Sequence, residues 1–140
     1  MYIHGAIVNA RQCRKYLPDW SVRVYHDKSI EPSVIEQLKE LDVTCILVEG
    51  EGTHGAFWRF KSMFEGHDAY MSRDTDSRIT WRDIRCINEW MESGKKYMVI
   101  RDHEEHYKTP VMAGMFGVRG GVPNEETKFN FERMNKVHLY

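Results

Sequence analysis

The sequence has little that would mark a membrane-spanning, secreted or nucleic-acid-binding protein. No apolar run approaches the roughly 18 residues that a membrane-spanning helix needs. The N-terminus has no basic segment followed by an apolar one, so we expect no signal peptide. The net charge is −1, from 20 basic and 21 acidic residues, and no overall field favours nucleic acid or an anionic membrane. These absences predict a cytoplasmic protein with no membrane span and no nucleic-acid partner.

Cysteine is also scarce. The three cysteines, Cys13, Cys45 and Cys86, are far apart and lie within apolar runs. This distribution favours buried reduced thiols over disulfides or a metal site. The chain has 140 residues, of which 41% are hydrophobic and 29% are charged, as in an ordinary globular protein. A single domain of this size buries roughly 68–70% of its unfolded surface, so it needs no cross-links.

Helical and extended patterns alternate along the chain. Helices are predicted over residues 2–16, from Pro32, from near Phe57 to Gly66 after a glycine-rich loop at 50–55, and from a Thr80-x-x-Asp83 capping box to Gly94. Strands are predicted over residues 22–26, 44–48, 69–72, 97–100 and, with glycine interruptions, 111–118. The second strand is a continuous apolar run, so we expect it to be buried on both faces. The alternation predicts an α/β fold, a mostly parallel sheet flanked by helices.

The most informative motif is Arg73-Asp74-Thr75-Asp76-Ser77-Arg78, which directly follows the third predicted strand. Ligands of parallel sheets bind beyond the carboxyl ends of the strands, and Mg²⁺ is usually held by one or two carboxylates together with substrate phosphates. Asp74 and Asp76 are therefore candidates for holding a divalent cation against a diphosphate. Arg73 and Arg78 are candidates for pairing with phosphate oxygens. A solvated turn with local charge pairing is the alternative.

A second polar segment, Arg101-Asp102-His103-Glu104-Glu105-His106, follows the fourth predicted strand and should open at the same edge of the sheet. Asp102 is a candidate hydrogen-bond acceptor or base, and His103 and His106 are candidate partners of hydroxyl or phosphate groups. A zinc site at the two histidines and a polar loop without a function are the alternatives.

Two further features lie near this predicted edge. Arg59, near the start of a helix, could reach a bound phosphate, although a solvated arginine on the helix surface is the ordinary alternative. Gly114 and the glycines that follow it remove side chains along one segment. Glycine in a strand often marks a close approach by a ligand or by backbone, and a bulge or a turn is equally ordinary.

The order of seven segments resembles a known family. They are Leu17-Pro18-Asp19-Trp20, Val22 to Asp27, Trp58-Arg59-Phe60, Arg73 to Arg78, Glu89 to Lys95, Arg101 to His106 and Gly114-Met115-Phe116-Gly117. Over about residues 2–121 this order is similar to the GT-A-like nucleotide-diphospho-sugar glycosyltransferases, in particular to bacterial and viral members with an RDxDSR metal motif.

The resemblance implies transfer of a sugar from a nucleotide-diphosphate donor to a hydroxyl acceptor such as a glycan. It implies that Asp74 and Asp76 hold Mn²⁺ or Mg²⁺ on the pyrophosphate, and that Asp102 deprotonates the acceptor, as a carboxylate does in inverting members. The positions that it implies for substrate contact are Arg59, Arg73, Ser77, Arg78, Arg101, His103, His106, Gly114 and Met115.

Measured against the family, the chain looks shortened at both ends. No first nucleotide-binding strand precedes the helix predicted at 2–16, and residues 122–140 lack the usual Asp-Gln-containing segment. The expectation is thus a single, incomplete GT-A-like domain over 1–140. A catalytically inactive binding module and a metal-dependent hydrolase or nucleotidyltransferase are the alternatives. An exposed sheet edge also leaves a homo-oligomer open.

Overall fold

A computed structural model describes residues 2–49 and 55–120 of the chain. The α-helices are α1 (Tyr2–Tyr16), α2 (Pro32–Glu40), α3 (Gly55–Trp58) and α4 (Trp81–Ser93), and 3₁₀ helices span Arg59–Phe64 and Glu104–Lys108. The strands are β1 (Val22–His26), β2 (Val43–Leu47), β3 (Ala69–Arg73), β4 (Tyr97–Val99) and β5 (Met115–Arg119).

The described strands form two separate sheets. β1 and β2 pair in parallel, with Val22 opposite Val43. In the second sheet β5 lies between β3 and β4 and runs antiparallel to both. The α/β class is therefore confirmed, but a mostly parallel sheet is wrong for the described residues. The reason is that β5 returns between β3 and β4, so these two strands run in the same direction without pairing with each other.

The helix boundaries follow local signals in the sequence. α1 spans the predicted residues, and Pro32 is the first residue of α2. At the start of α4 the Thr80 side chain accepts a hydrogen bond from the Asp83 backbone, and the Asp83 carboxylate accepts one from the Thr80 backbone. Gly94 ends this helix in the left-handed conformation at φ 69°, which glycine adopts without the steric cost of a Cβ. The predicted capping box and helix end are confirmed.

The core lies on both sides of α1, which packs against both sheets. Ala6 and Ala10 in its first half pack against the β1–β2 sheet and α2. Cys13 in its second half packs with Ile87 of α4 and Met71 of β3. A single helix therefore joins the two sheets, and burial of its apolar stripe stabilises their contact.

The prediction that the second strand is buried on both faces is wrong. Val43 is buried, but Thr44 is exposed and Leu47 has 45% of its surface exposed. β2 has β1 as its single neighbour among the described strands. The apolar run gave no information about how many strands would lie beside it.

The helical spacing of Trp81, Ile84, Ile87 and Met91 predicts that they form the apolar face of α4, and this prediction is partly wrong. Ile87 and Trp90 are buried, whereas Trp81 at the first position of the helix is 75% exposed. The Trp90 indole donates a hydrogen bond to the carbonyl of Lys95 at 2.9 Å and packs 6.2 Å from the ring of Trp20. Trp90 thus carries the aromatic contact of this helix with the rest of the core.

Two further predictions differ in extent. The helix predicted from Phe57 to Gly66 is a short α-helix followed by a 3₁₀ helix, and the strand predicted over 111–118 begins only at Met115. The loop residues 50–54 and the tail from residue 121 lie outside the described residues.

All three cysteines are free. None of the described helices combines the length and apolar character that crossing a membrane requires.

Candidate functional site

The two polar segments singled out by sequence meet at one edge of the three-stranded sheet. β3 and β4 both end at this edge, and β5 begins there. Arg73 pairs with Met115 and Val99 with Phe116, so extending both registers places Gly114 between the end of β3 and the end of β4. Neighbouring strands are about 4.8 Å apart, so the segments after β3 and β4 leave the sheet roughly 10 Å from each other.

Asp74, the first residue after β3, lies between an arginine and a glycine. Its Oδ1 pairs with the guanidinium of Arg59, and this arginine is also anchored through Nε to the carbonyl of Ala56 at 3.0 Å. On the other side a Cβ placed on Gly114 would overlap the carboxylate, since even Oδ1 would lie only 3.0 Å away. The group that approaches Gly114 closely is therefore the Asp74 side chain, and not the ligand or backbone that the sequence had suggested as one possibility.

Tyr70 helps to hold Arg59 over this carboxylate. Its hydroxyl donates to the carbonyl of Arg59 at 3.1 Å. Burial raises the pKa of Tyr70 to about 12, so the hydroxyl keeps its proton and remains a donor near neutral pH. The link ties the 3₁₀ helix that begins at Arg59 to β3, and it fixes the arginine near the candidate site.

The turn that carries Asp74 and Asp76 is clamped from α1. The Asn9 side-chain amide donates to the carbonyl of Ser77 at 2.8 Å, and its oxygen accepts from the backbone of Ile79 at 3.1 Å. Close packing accompanies these bonds, because a Cβ on Gly5 would overlap the Thr75 carbonyl. Asn9 is buried, so these bonds replace water for the turn's backbone groups. They explain why the turn keeps a defined shape.

Two arginines predicted to contact phosphate are engaged within the protein. Arg73 lies 3.0 Å from the buried Asp83 carboxylate and donates to the carbonyl of Arg78 at 3.1 Å. Arg78 donates to the carbonyl of Thr75 at 3.1 Å. Both guanidinium groups thus brace the turn and the start of α4. The arginine that pairs with the Asp74 carboxylate is Arg59, and not Arg73 or Arg78.

A divalent cation held by Asp74 and Asp76 would need further ligands from a bound substrate. Asp74 and the exposed Asp76 supply two carboxylates at the turn. Within residues 2–49 and 55–120 no third Asp, Glu, His or Cys joins them in a cluster that could hold a metal ion. Mg²⁺ is commonly bound in this way, through one or two carboxylates with phosphate oxygens and water as the other ligands.

Asp102 lies beyond β4 and is held by an arginine of α4. Arg82 reaches its Oδ1 through both Nε and Nη2 at 2.6 Å, and this contact raises the pKa of the Arg82 guanidinium. Both side chains are substantially exposed, so water screens the pair and it contributes little to stability. Asp102 could therefore exchange Arg82 for another partner at low cost.

The remaining predicted residues of this edge serve its local structure. The Arg101 guanidinium donates to the Pro110 carbonyl and lies 5.7 Å from the Tyr107 ring centre. His103 and His106 each accept a backbone N–H at 3.1 Å, from Glu105 and Asp102 respectively. Met115 accepts a hydrogen bond from the Ile100 backbone at 2.9 Å. These contacts bring the predicted residues of the segment together, but they do not favour a zinc site at the two histidines.

A cleft of about 630 Å³ opens beside the Asp74 turn. Its walls come from β1, from β3 and from the Gly55–Phe64 segment, and Arg59 and Thr75 lie at its border. Tyr25 on β1 donates to Glu65 at 3.1 Å, and burial is the main reason that the pKa of Tyr25 is raised. The cleft gives a ligand held at the turn a place to extend into the protein.

Three contributors to the site were not found from the sequence. Asn9 and Gly5 act on the turn from about 70 residues away in the chain, and Arg82 holds Asp102 from α4. Asn9 could have been suspected, because a polar residue interrupts the buried face of α1. For Gly5 and Arg82 no local pattern indicates the contact.

Comparisons with protein-family models, with curated proteins and with solved structures found no match to this chain.

Proposed function

We propose that this chain is a GT-A-like glycosyltransferase domain that uses Mn²⁺ or Mg²⁺ and moves a sugar from a nucleotide-diphosphate donor to a hydroxyl acceptor. The observation that carries the proposal is the arrangement at Asp74. The carboxylate follows a strand end, packs closely against Gly114, and has a cationic partner in Arg59. The resemblance of the segment order to that family also supports it.

Asp74 and Asp76 would hold the cation, with the donor's pyrophosphate oxygens and water as its other ligands. When bound, the cation supplies Lewis-acid stabilisation of the charge that builds up on the departing nucleotide diphosphate. The clamp from Asn9 holds the backbone of the turn that carries both carboxylates before the donor arrives, so less ordering is left for the binding step.

Arg59 would act as an exchangeable partner of the pyrophosphate. In the free protein its guanidinium neutralises Asp74. Once Asp74 binds the cation, the guanidinium is free to pair with phosphate oxygens, which it can contact through two parallel N–H groups. Its attachment to Ala56 and Tyr70 keeps it near the leaving group throughout.

Asp102 is our candidate for the base that takes the proton from the acceptor hydroxyl. It lies beyond the end of β4, roughly 10 Å along the sheet edge from the end of β3 that precedes Asp74, a distance that a sugar could span. For this role it must release Arg82, which the exposed position of the pair allows. Direct displacement by the hydroxyl would then invert the configuration at the sugar carbon.

Calorimetry with Mn²⁺ and UDP on the wild type, Asp76→Ala and Arg59→Gln tests the proposal. Wild-type UDP binding should require Mn²⁺ and should be lost in Asp76→Ala. Arg59→Gln should show two opposite effects. Mn²⁺ alone should bind about fivefold tighter, because a partly exposed ion pair worth about 1 kcal/mol no longer competes for Asp74. UDP with Mn²⁺ should bind more weakly, because a phosphate partner is gone.

Arg85→Gln is the matched control, since Arg85 forms an exposed pair with Glu89 on α4. It should leave both affinities unchanged. Failure of the wild type to bind UDP and the corresponding GDP, CDP and dTDP compounds in the presence of Mn²⁺ would refute the proposed site.

A binding module without turnover is the second candidate. Both proposed reacting carboxylates are already paired with arginines, Asp74 with Arg59 and Asp102 with Arg82, which is also how inert charged groups are stabilised. Product analysis with a nucleotide sugar distinguishes these functions. Transferred sugar supports the enzyme, unchanged donor supports the binding module, and release of nucleoside monophosphate indicates a pyrophosphate hydrolase.

A further inference from the structure

A groove of about 470 Å³ lies between α4 and β4. Its wall on the helix extends from Arg82 in the first turn to Ser93 at the last residue, a rise of about 16 Å. Its other wall is β4, and it continues to Arg101 beyond the strand. Both arginines are close to the candidate base Asp102, because Arg82 binds its carboxylate and Arg101 precedes it in the chain. One end of the groove therefore reaches the residue that would receive the proton of the acceptor.

The groove carries an excess of positive charge. Its lining contains three cations, Arg82, Lys95 and Arg101. Among the described residues that line it, Glu89 is the one carboxylate, and it already pairs with Arg85 at 2.7 Å. No described carboxylate forms an ion pair with Lys95 or Arg101. The whole chain has a net charge of −1, so this excess belongs to the groove and would attract an anionic ligand there.

Two tyrosines in the lining present large aromatic surfaces to solvent. Tyr97 is 64% exposed and Tyr107 is 72% exposed. Ligand sites usually combine such aromatic surface with a few placed polar groups. A sugar ring suits this combination, because its C–H faces pack on aromatic rings and its polar substituents bind charged side chains. Together with the cations, the tyrosines indicate a sugar that carries a negative charge.

Arg82 has donors to spare for a second carboxylate. Its Nε and Nη2 both contact Oδ1 of Asp102 at 2.6 Å. Its Nη1 lies 3.9 Å from the sulfur of Cys86, which is a weak acceptor. The side chain is 49% exposed and lines the groove, and a guanidinium has five N–H donors in one plane. A carboxylate in the groove can therefore bind Arg82 and compete with Asp102 for it.

We propose that this groove binds the acceptor, and that the acceptor is an acidic glycan with a uronic-acid carboxylate on Arg82. The inference rests on the proposed transfer of a sugar to a glycan. The sugar rings pack on Tyr97 and Tyr107, and Lys95 at the other end of the groove receives a second acidic unit. Because the acceptor's carboxylate draws Arg82 away from Asp102, the candidate base is released only when an acceptor lies beside it.

Calorimetry on the full chain tests this inference, with a tetrasaccharide of alternating glucuronic acid and N-acetylglucosamine as the probe. The matched ligand is the same tetrasaccharide after reduction of its carboxyl groups to hydroxymethyl groups. The wild type should bind the acidic form about tenfold more tightly than the reduced form, and added salt should narrow the difference. No divalent cation or nucleotide is present. A chain that binds the acidic glycan but no nucleotide would therefore keep the glycan site and refute the transferase.

Two substitutions should change the affinity for the acidic form in opposite directions. Arg82→Gln should weaken it about fivefold and leave the affinity for the reduced form unchanged. Asp102→Asn should strengthen it, because the competing carboxylate is gone. Arg11→Gln removes the same charge from an exposed position of α1 outside the groove and should change neither affinity. The inference is overturned by a wild type that binds neither form or both equally, or by equal losses in Arg82→Gln and Arg11→Gln.

Discussion

Replacing Gly114 with alanine measures the close approach between β5 and the Asp74 turn. The backbone of Gly114 does not lie in the left-handed region, so alanine can adopt its conformation, and the added Cβ reports on the space beside it. That space is taken by the Asp74 carboxylate. Forcing an extra methyl group into occupied space costs about 1–3 kcal/mol. Alanine also makes the unfolded chain less flexible than glycine does, which stabilises the folded protein by about 0.4–1 kcal/mol. We expect a net loss of about 1–2 kcal/mol.

Urea unfolding followed by tryptophan fluorescence gives this loss, and thermal unfolding should show a melting temperature lower by about 3–8 °C. The decisive measurement repeats the substitution in an Asp74→Ala background. With the carboxylate removed, Gly114→Ala should be neutral or stabilise by up to about 1 kcal/mol. The two sites should therefore be coupled by at least about 1 kcal/mol.

Gly55→Ala is the matched control. Its nearest side chain, Trp58, would lie 3.7 Å from the new Cβ, which is ordinary packing distance. This variant should change stability by less than about 0.5 kcal/mol. If Gly114→Ala were equally destabilising with and without the Asp74 carboxylate, the contact that defines the candidate site would not exist.

Three other outcomes follow from the same structure. Asn9→Ala should lower the free energy of urea unfolding by about 1–3 kcal/mol, because it leaves buried backbone groups of the turn without partners. The control Asn88→Ala, at an exposed position of α4, should be nearly neutral, and equal effects of the two substitutions would contradict the clamp. Trp90→Ala should cost about 3–5 kcal/mol and the exposed Trp81→Ala less than about 0.5 kcal/mol, and the reverse order would mean that the buried face of α4 is misassigned. Burial raises the pKa of the Cys13 thiol, so iodoacetamide at about pH 8 should alkylate it slowly in the native protein and quickly in urea; rapid native labelling would refute its burial.

Local signals were sufficient for much of the fold. α1 could be predicted to its ends because apolar residues recur at helical spacing and Pro18 follows directly. The Thr80–Asp83 box and Gly94 determined α4 for the same reason: capping depends on neighbouring residues. Pairing between distant strands could not be predicted, because nothing in the composition of β5 shows that it returns between β3 and β4.

The site was predictable in part. The carboxylates of Asp74 and Asp76 and the glycine at 114 were located by motif and strand position, and Arg59 by its place near a helix start. The assignment of Arg73 to phosphate did not anticipate Asp83, which takes part both in the capping box and in an ion pair. Their contact depends on how α4 leaves the sheet edge, and sequence spacing alone does not describe that geometry.

The placement of α1 has a consequence for how the chain could be divided. All strands of the first sheet precede residue 49 and all strands of the second follow residue 68, so a break in the connection would separate no described pair of strands. The two pieces would recognise each other through α1 and through the contact of Trp20 with Trp90. Such a chain is suited to reconstitution from two fragments, with restored tryptophan fluorescence as the signal of reassembly.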